Sequence, residues 1–182
     1  MNPSLRTVLT VSVALVAVSL AARVNVAIPG SPVPQSLQTL AVCVAGMWLG
    51  PSRGALALAL YVVIGAAGAP VFADGGGGLQ HLVGPTGGYL VGFVVGAAAM
   101  GWWTGQDWGR GFVSVAAGSV AAHVVILGFG WARLAALLGG FAAFSSGVLP
   151  FLVGGVVKSL GAAALWVAIP RPEPVEPVTD PN

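Results

Sequence analysis

The chain has 182 residues, of which 57% are hydrophobic and only 7% charged, and its mean hydropathy is +0.93. Soluble domains carry about a quarter charged residues, so this composition excludes a soluble enzyme and fits a polytopic membrane protein. The net charge of +2 comes from scattered residues with no basic cluster, which leaves no surface for nucleic acid.

Residues 7–22 form an apolar run behind Arg6. A signal peptide ending at Ala21-Ala22 is one reading. A retained first helix fits better, because the run exceeds a signal core and further spans follow at once. Within it, Ala17 and Ala21 form a small-xxx-small pair suited to close helix contact. Residues 25–36 hold Pro29, Pro32 and Pro34 and are predicted to be a loop. A second span is predicted over residues 35–49, a tight turn at Gly50-Pro51-Ser52-Arg53-Gly54, and a third span over residues 55–72. Cys43, alone inside an apolar run, reads as a small packing residue.

Residues 70–89 then break the apolar pattern. They include Gly75-Gly76-Gly77-Gly78 but also Leu79, Leu82 and Val83, which a solvated linker would not need. Such a loop between two spans reads as the lid or wall of a binding site, with a loose connector as the alternative. No Lys or Arg lies in it and the phosphate-loop pattern is missing, so a phosphate cradle is excluded.

A fourth span is predicted over residues 89–103, with Gly88, Gly92 and Gly96 spaced four apart as a packing seam. Residues 104–111 form a polar loop holding Asp107 and Arg110. A fifth span is predicted over 112–129, a partly apolar connection over 130–147, and a sixth span over 150–169. The tail, residues 171–182, is proline-rich and acidic and is expected to be disordered. That leaves residues 1–170 as a six-helix membrane domain.

An N-terminus on the inside places Arg6, Arg53, Arg110 and Arg171 on the cytoplasmic face, against Arg23 and Arg133 outside. The bias predicts both termini cytoplasmic and the glycine-rich loop outward. Trp48, Trp102, Trp103, Trp108 and Trp166 then fall near the inner boundary as an aromatic belt, with Trp131 on the outer side.

Every acid (Asp74, Asp107, Glu173, Glu176 and Asp180) falls in a loop or the tail, whereas ion-coupled carriers usually use a carboxylate inside the membrane. His81 and His123 lack metal-ligand spacing, and no nucleophile elbow or zincin motif occurs. Neither a metal, a cofactor nor a catalytic residue is therefore expected. His123, mid-span, reads as a helix-packing hydrogen-bonder. Lys158 is the charged residue well inside a span, about 12 Å from the start of the sixth helix. A lysine at that depth costs about 3 kcal/mol unless it is paired or snorkels. Phe151, Gly154, Gly155 and Gly161 share its helix face and leave room for a ligand.

The segments Val33-Pro34-Gln35-Ser36-Leu37-Gln38-Thr39-Leu40, Leu49-Gly50-Pro51-Ser52-Arg53-Gly54-Ala55, Pro70-Val71-Phe72 and Gly84-Pro85-Thr86-Gly87-Gly88-Tyr89 carry a family resemblance. So do Leu127-Gly128, Trp131-Ala132, Leu149-Pro150-Phe151-Leu152 and Lys158. In order and spacing they resemble the BioY family, the biotin-capturing S components of energy-coupling factor transporters, and the likeness covers nearly all but the tail. It implies an all-α, six-helix polytopic bundle in the bacterial cytoplasmic membrane, surrounded by lipid, with a biotin pocket on the outer side. It also implies partners: a transmembrane coupling protein and two ABC-type ATPase subunits. Ala17 and Ala21 resemble the first-helix surface by which S components meet the coupling protein.

Biotin presents a ureido ring, a thioether ring and a carboxylate, which suits an apolar cavity with a few polar anchors. The expected site residues are Gln38, Thr39, Thr86, Tyr89, Trp131 and Lys158. Lys158 would meet either the carboxylate, favoured electrostatically, or the ureido oxygen. One departure stands out. The family pattern Gly-Asp-x-x-Lys reads Gly154-Gly155-Val156-Val157-Lys158 here. With that carboxylate missing, Gln38, His123 and Ser159 are available to hold the polar head. The alternatives are another small anionic vitamin, or a structural or assembly protein whose glycines serve only packing.

Overall fold

The computed structural model describes residues 2–169; the tail expected to be disordered lies outside the described residues. Helix α1 (Pro3–Ala21) starts at Asn2, whose side chain accepts from the Ser4 N–H at 3.0 Å, an ordinary N-cap. Its buried face of Val11, Ala14 and Val18 joins the core. The proline-rich loop is tied by a small antiparallel pair, β1 (Asn25–Val26) with β2 (Gln35–Ser36).

Helix α2 (Gln38–Ala66) folds back on itself at Gly50, whose φ of 76° is open to glycine at little cost. Pro51 starts the returning half, where its missing N–H is not needed. The halves, residues 38–49 and 51–66, lie antiparallel, with Gln38 donating to the Tyr61 hydroxyl at 2.6 Å. The turn is therefore one residue wide, narrower than the sequence predicts. The returning helix stops at Ala66, short of residue 72. Residues 67–86, with the short helix α3 (Gln80–Val83), then cross the top of the bundle.

Helices α4 (Gly87–Gly105), α5 (Phe112–Leu138), α6 (Gly140–Gly147) and α7 (Leu152–Ala168) complete the chain. The fifth helix thus runs beyond residue 129, because Gly139, with φ 85°, is the residue that ends it. The expected connection over 130–147 is the end of α5 followed by α6. Among the described residues four stretches are long and apolar enough to cross a bilayer: Ser4–Ala21, Gln38–Ala66, Phe112–Leu138 and Gly140–Ala168. The second is two antiparallel helices, and with α4 the bundle has six.

Between these elements α4 is central. A Cβ at Gly46 would overlap the Ala97 carbonyl, and one at Gly101 would overlap the turn at Gly50 and Pro51. On its other face, Cβ atoms at Gly88, Gly92 and Gly96 would crowd Phe129, Ile126 and Arg133 of α5, so the glycine ladder is a packing seam. In lipid this close backbone approach, rather than removal of apolar surface from water, holds helices together. The outer faces carry exposed Val8, Val13, Val63, Val113, Val124 and Val153, as a lipid-facing surface does. The chain is a multi-pass membrane protein. At one end Trp102 and Trp103 meet Trp108, and Trp48 meets Trp166, with ring centroids 4.8–6.2 Å apart. There Trp103 donates to Ser114 Oγ at 3.1 Å and Trp166 to the Arg110 carbonyl at 2.9 Å, so the rings keep their apolar bodies inward and their N–H groups satisfied.

Candidate functional site

The bundle encloses a cavity of about 70 Å³ at the end opposite the tryptophans. Its walls are Tyr89, Leu90 and Phe93 of α4, Ile126 and Leu127 of α5, and Phe151 before α7. The roof comes from Val33, Pro34, Phe72, Ala73, His81 and Thr86. Phe72 is 2% exposed and sits between Tyr61 and His81, with ring centroids 5.5 and 5.4 Å away. It pins the roof from below.

Polar side chains break this apolar lining at Gln38, Thr39, His123 and Lys158. Their hydrogen bonds separate support from recognition. Gln38 accepts from Ser36 Oγ at 2.9 Å and donates to Tyr61, whose hydroxyl donates to the Val71 carbonyl at 3.0 Å. That relay ties α2 to the roof and commits one donor and one acceptor of the Gln38 amide. Tyr89 donates to the Gly147 carbonyl at 2.6 Å, and Thr86 to the His81 carbonyl at 3.0 Å. These hydroxyls hold the walls, while the ring of Tyr89 faces the cavity.

What remains is small and specific. Thr39 Oγ1 and His123 Nε2 are buried with no protein partner. Lys158, 9% exposed, donates to the Ser36 carbonyl at 3.0 Å, which leaves the rest of its donor capacity uncommitted. Among the described residues the ion pair present is Arg110–Asp107 at 3.7 Å, on the exposed surface. No acid lines the cavity among the described residues. A buried polar atom left without a partner costs about 1–3 kcal/mol.

Five of the six expected site residues, Gln38, Thr39, Thr86, Tyr89 and Lys158, converge here. Trp131 does not. It is 41% exposed on the outer face of α5, donates to the Gly140 carbonyl at 3.1 Å, and lines a separate groove with Phe144 and Leu152. The sequence reading places it in the partly apolar connection over 130–147; instead α5 continues through it and turns the ring away from the cavity. His123, one of the three residues named as available for the polar head, also lines the cavity. The signal available was its place as a polar side chain in the middle of an apolar span, which often marks function. Its packing role is also real, through Nδ1 at 2.8 Å from the Ser119 carbonyl.

The roof is clasped from both sides. Arg23, following α1, donates to the Pro70 carbonyl. Arg133 of α5 donates to the Val83 carbonyl and, at 3.4 Å, to that of Gly84. Of the three apolar side chains that follow the glycines, Leu82 packs on the core whereas Leu79 and Val83 stay exposed, at 67% and 64%.

Comparison with known proteins gives a consistent result. The chain matches the model of the BioY family over residues 1–174. It is similar to the probable biotin transporter BioY of Pyrococcus horikoshii, 40% identical over 147 residues, covering 81% of this chain and 85% of the other. It is also similar to the biotin transporter BioY of Rhizobium etli, 35% identical over 173 residues, covering 89% and 91%. Among solved structures its fold matches the S-component for biotin from an ECF-type ABC transporter, with a TM-score of 0.79 and 21% identity over 91% of this chain and 90% of that one.

Proposed function

This chain belongs to the BioY family, and we propose that it is the substrate-capture component of a biotin uptake system. It takes biotin from the outer side of the cytoplasmic membrane into the cavity beneath residues 67–86. It hands the vitamin inward in complex with a transmembrane coupling protein and two ABC-type ATPase subunits. Both termini lie on the cytoplasmic side in this reading, by the distribution of arginines. The chain is a transporter component, not an enzyme.

The observation that carries the reading is the composition of the cavity. Aromatic and aliphatic walls enclose one cation, Lys158, and two polar atoms without protein partners, Thr39 Oγ1 and His123 Nε2. Biotin brings a matching set: an apolar thioether ring, a urea and a carboxylate. Lys158 anchors a ligand oxygen at this site, and the aromatic rings hold the fused bicycle. Ala17 and Ala21 give the coupling protein its docking surface.

The direct test is binding by the purified protein in nanodiscs, followed by uptake in a biotin auxotroph with and without the energising subunits. Saturable binding of biotin, displaced by excess unlabelled biotin and not by other small anionic vitamins, is expected. Preferential binding of a different anionic vitamin would move the assignment to that ligand. Binding of none of them would leave a packing or assembly role.

A further inference from the structure

We propose that His123 is the acceptor for a ligand N–H, and that it fixes the ureido ring of biotin, not its carboxylate, at the α5–α7 wall of the cavity. This rests on the biotin reading above and deepens it. His123 is 6% exposed and projects from the middle of α5. Its Nδ1 lies 2.8 Å from the Ser119 carbonyl. A carbonyl can only accept, so Nδ1 carries the proton. Ser159 Oγ, 3.2 Å from the same nitrogen, donates to the Gly155 carbonyl at 2.8 Å and supports that tautomer.

With Nδ1 protonated, the neutral ring presents a bare lone pair at Nε2, buried and without a partner. A second proton there would add another cation to an apolar cavity that already holds Lys158 and no acid among the described residues. The group that completes Nε2 is therefore a donor. Biotin's carboxylate has no hydrogen to give, and neither has its thioether. Its urea has two N–H groups. Thr39 Oγ1, the other orphaned atom of the same cavity, can accept the second N–H or donate to the urea oxygen.

The nearest atoms to a Cβ placed at Gly155 are those of His123, at 3.5–4.0 Å, so the glycine packs directly beside the histidine where α7 meets α5.

Titration calorimetry in nanodiscs separates the possibilities. The ligands are biotin and its two cyclic carbamate analogues, in which one or the other urea N–H is replaced by a ring oxygen of nearly the same shape. Wild type is expected to lose about tenfold or more for one carbamate, because a lone pair then faces Nε2. His123→Phe is expected to lose a similar factor for biotin and to bind that carbamate about as tightly as biotin. His123→Gln, which keeps an acceptor near Nε2, should retain most of the affinity. The inference is overturned if wild type binds both carbamates as tightly as biotin, a result that needs no variant to fold. It is equally overturned if His123→Phe binds biotin like wild type, or loses one common factor for all three ligands. Wild-type protein that binds no biotin overturns the reading and this inference together, whereas binding with no discrimination at His123 overturns the inference alone.

Discussion

Lys158 reaches the cavity with part of its donor capacity already committed to the Ser36 carbonyl, 3.0 Å away. That bond explains how a lysine is tolerated at this depth without an acid. It draws the ammonium toward the β1–β2 hairpin and spares it full dehydration. The neutral carbonyl does not cancel the charge, which remains for the ligand. Lys158→Met keeps the length and removes the charge, so the bundle should assemble while biotin affinity falls by about 10- to 100-fold, the range of a charge-assisted hydrogen bond. Unchanged affinity would make Lys158 structural. Comparing biotin with its amide identifies the end that Lys158 meets, since only a carboxylate anchor makes wild type lose more than the variant. Gly155 offers the converse experiment. Because the nearest atoms to a Cβ there are those of His123, at ordinary contact distance, Gly155→Asp should fold and supply a carboxylate acceptor beside His123. A several-fold gain in biotin affinity is expected by calorimetry; a loss would show that the glycine leaves space the ligand itself needs. At this scale the sequence was legible for five of the six residues expected at the cavity, Trp131 being turned away from it, and not for which of their polar atoms are already bonded. Gln38 and Tyr89 were nameable from their motifs, yet their polar atoms brace the walls. Thr39 Oγ1 and His123 Nε2 have no protein partner, and only three-dimensional neighbours decide that.

The elements show where a glycine-rich membrane sequence is ambiguous. Gly130 and Gly139 look alike in the chain. A Cβ at Gly130 would collide with the Tyr89 ring, so that glycine is a packing position inside α5, whereas Gly139 meets nothing and ends the helix with φ 85°. Reading the first as a breaker shortens the helix and moves Trp131 into a loop. Gly50-Pro51, by contrast, was readable as a reversal because proline marks the start of the next helix. The roof over the cavity was legible as a lid or wall but not as a clasped one. Its two arginine anchors, Arg23 and Arg133, lie far from it in sequence. The enclosed volume of about 70 Å³ is well below the roughly 300–1,000 Å³ of small-molecule sites, so the roof has to shift as biotin enters. Glycines between the two anchors make that shift inexpensive. With saturating biotin, amides in residues 67–86 should exchange with deuterium more slowly, while those of α4 and α5 change little. Equal exchange with and without ligand would remove the lid and leave a fixed wall.

In the proposed function, recognition and docking fall on separate surfaces of the molecule. The cavity lies between α2, α4, α5 and α7 under the roof. An apolar groove of about 540 Å³ instead runs along α1 and the first half of α2, lined by Leu9, Val13, Ala17, Ala21, Val44 and Trp48 among others. The two share no lining residue. Ala17 sits in the groove as an exposed small residue, leaving a shallow floor on which a helix of the coupling protein can approach closely. In a bilayer such an apolar groove is open to lipid, so docking there would gain little from hydrophobicity and depend on shape. Leucine at Ala17 and Ala21 would fill the floor with isobutyl groups, and a tightly fitted helix contact does not accommodate such added volume. Co-purification of the double variant with the coupling protein and ATPase subunits should therefore drop severely, and uptake with it. Biotin binding by the isolated variant should stay within about twofold of wild type, because no cavity residue moves. Intact assembly and uptake with both leucines in place would show that the groove is only where α1 meets lipid, and would send the search for the docking surface to another face of the bundle.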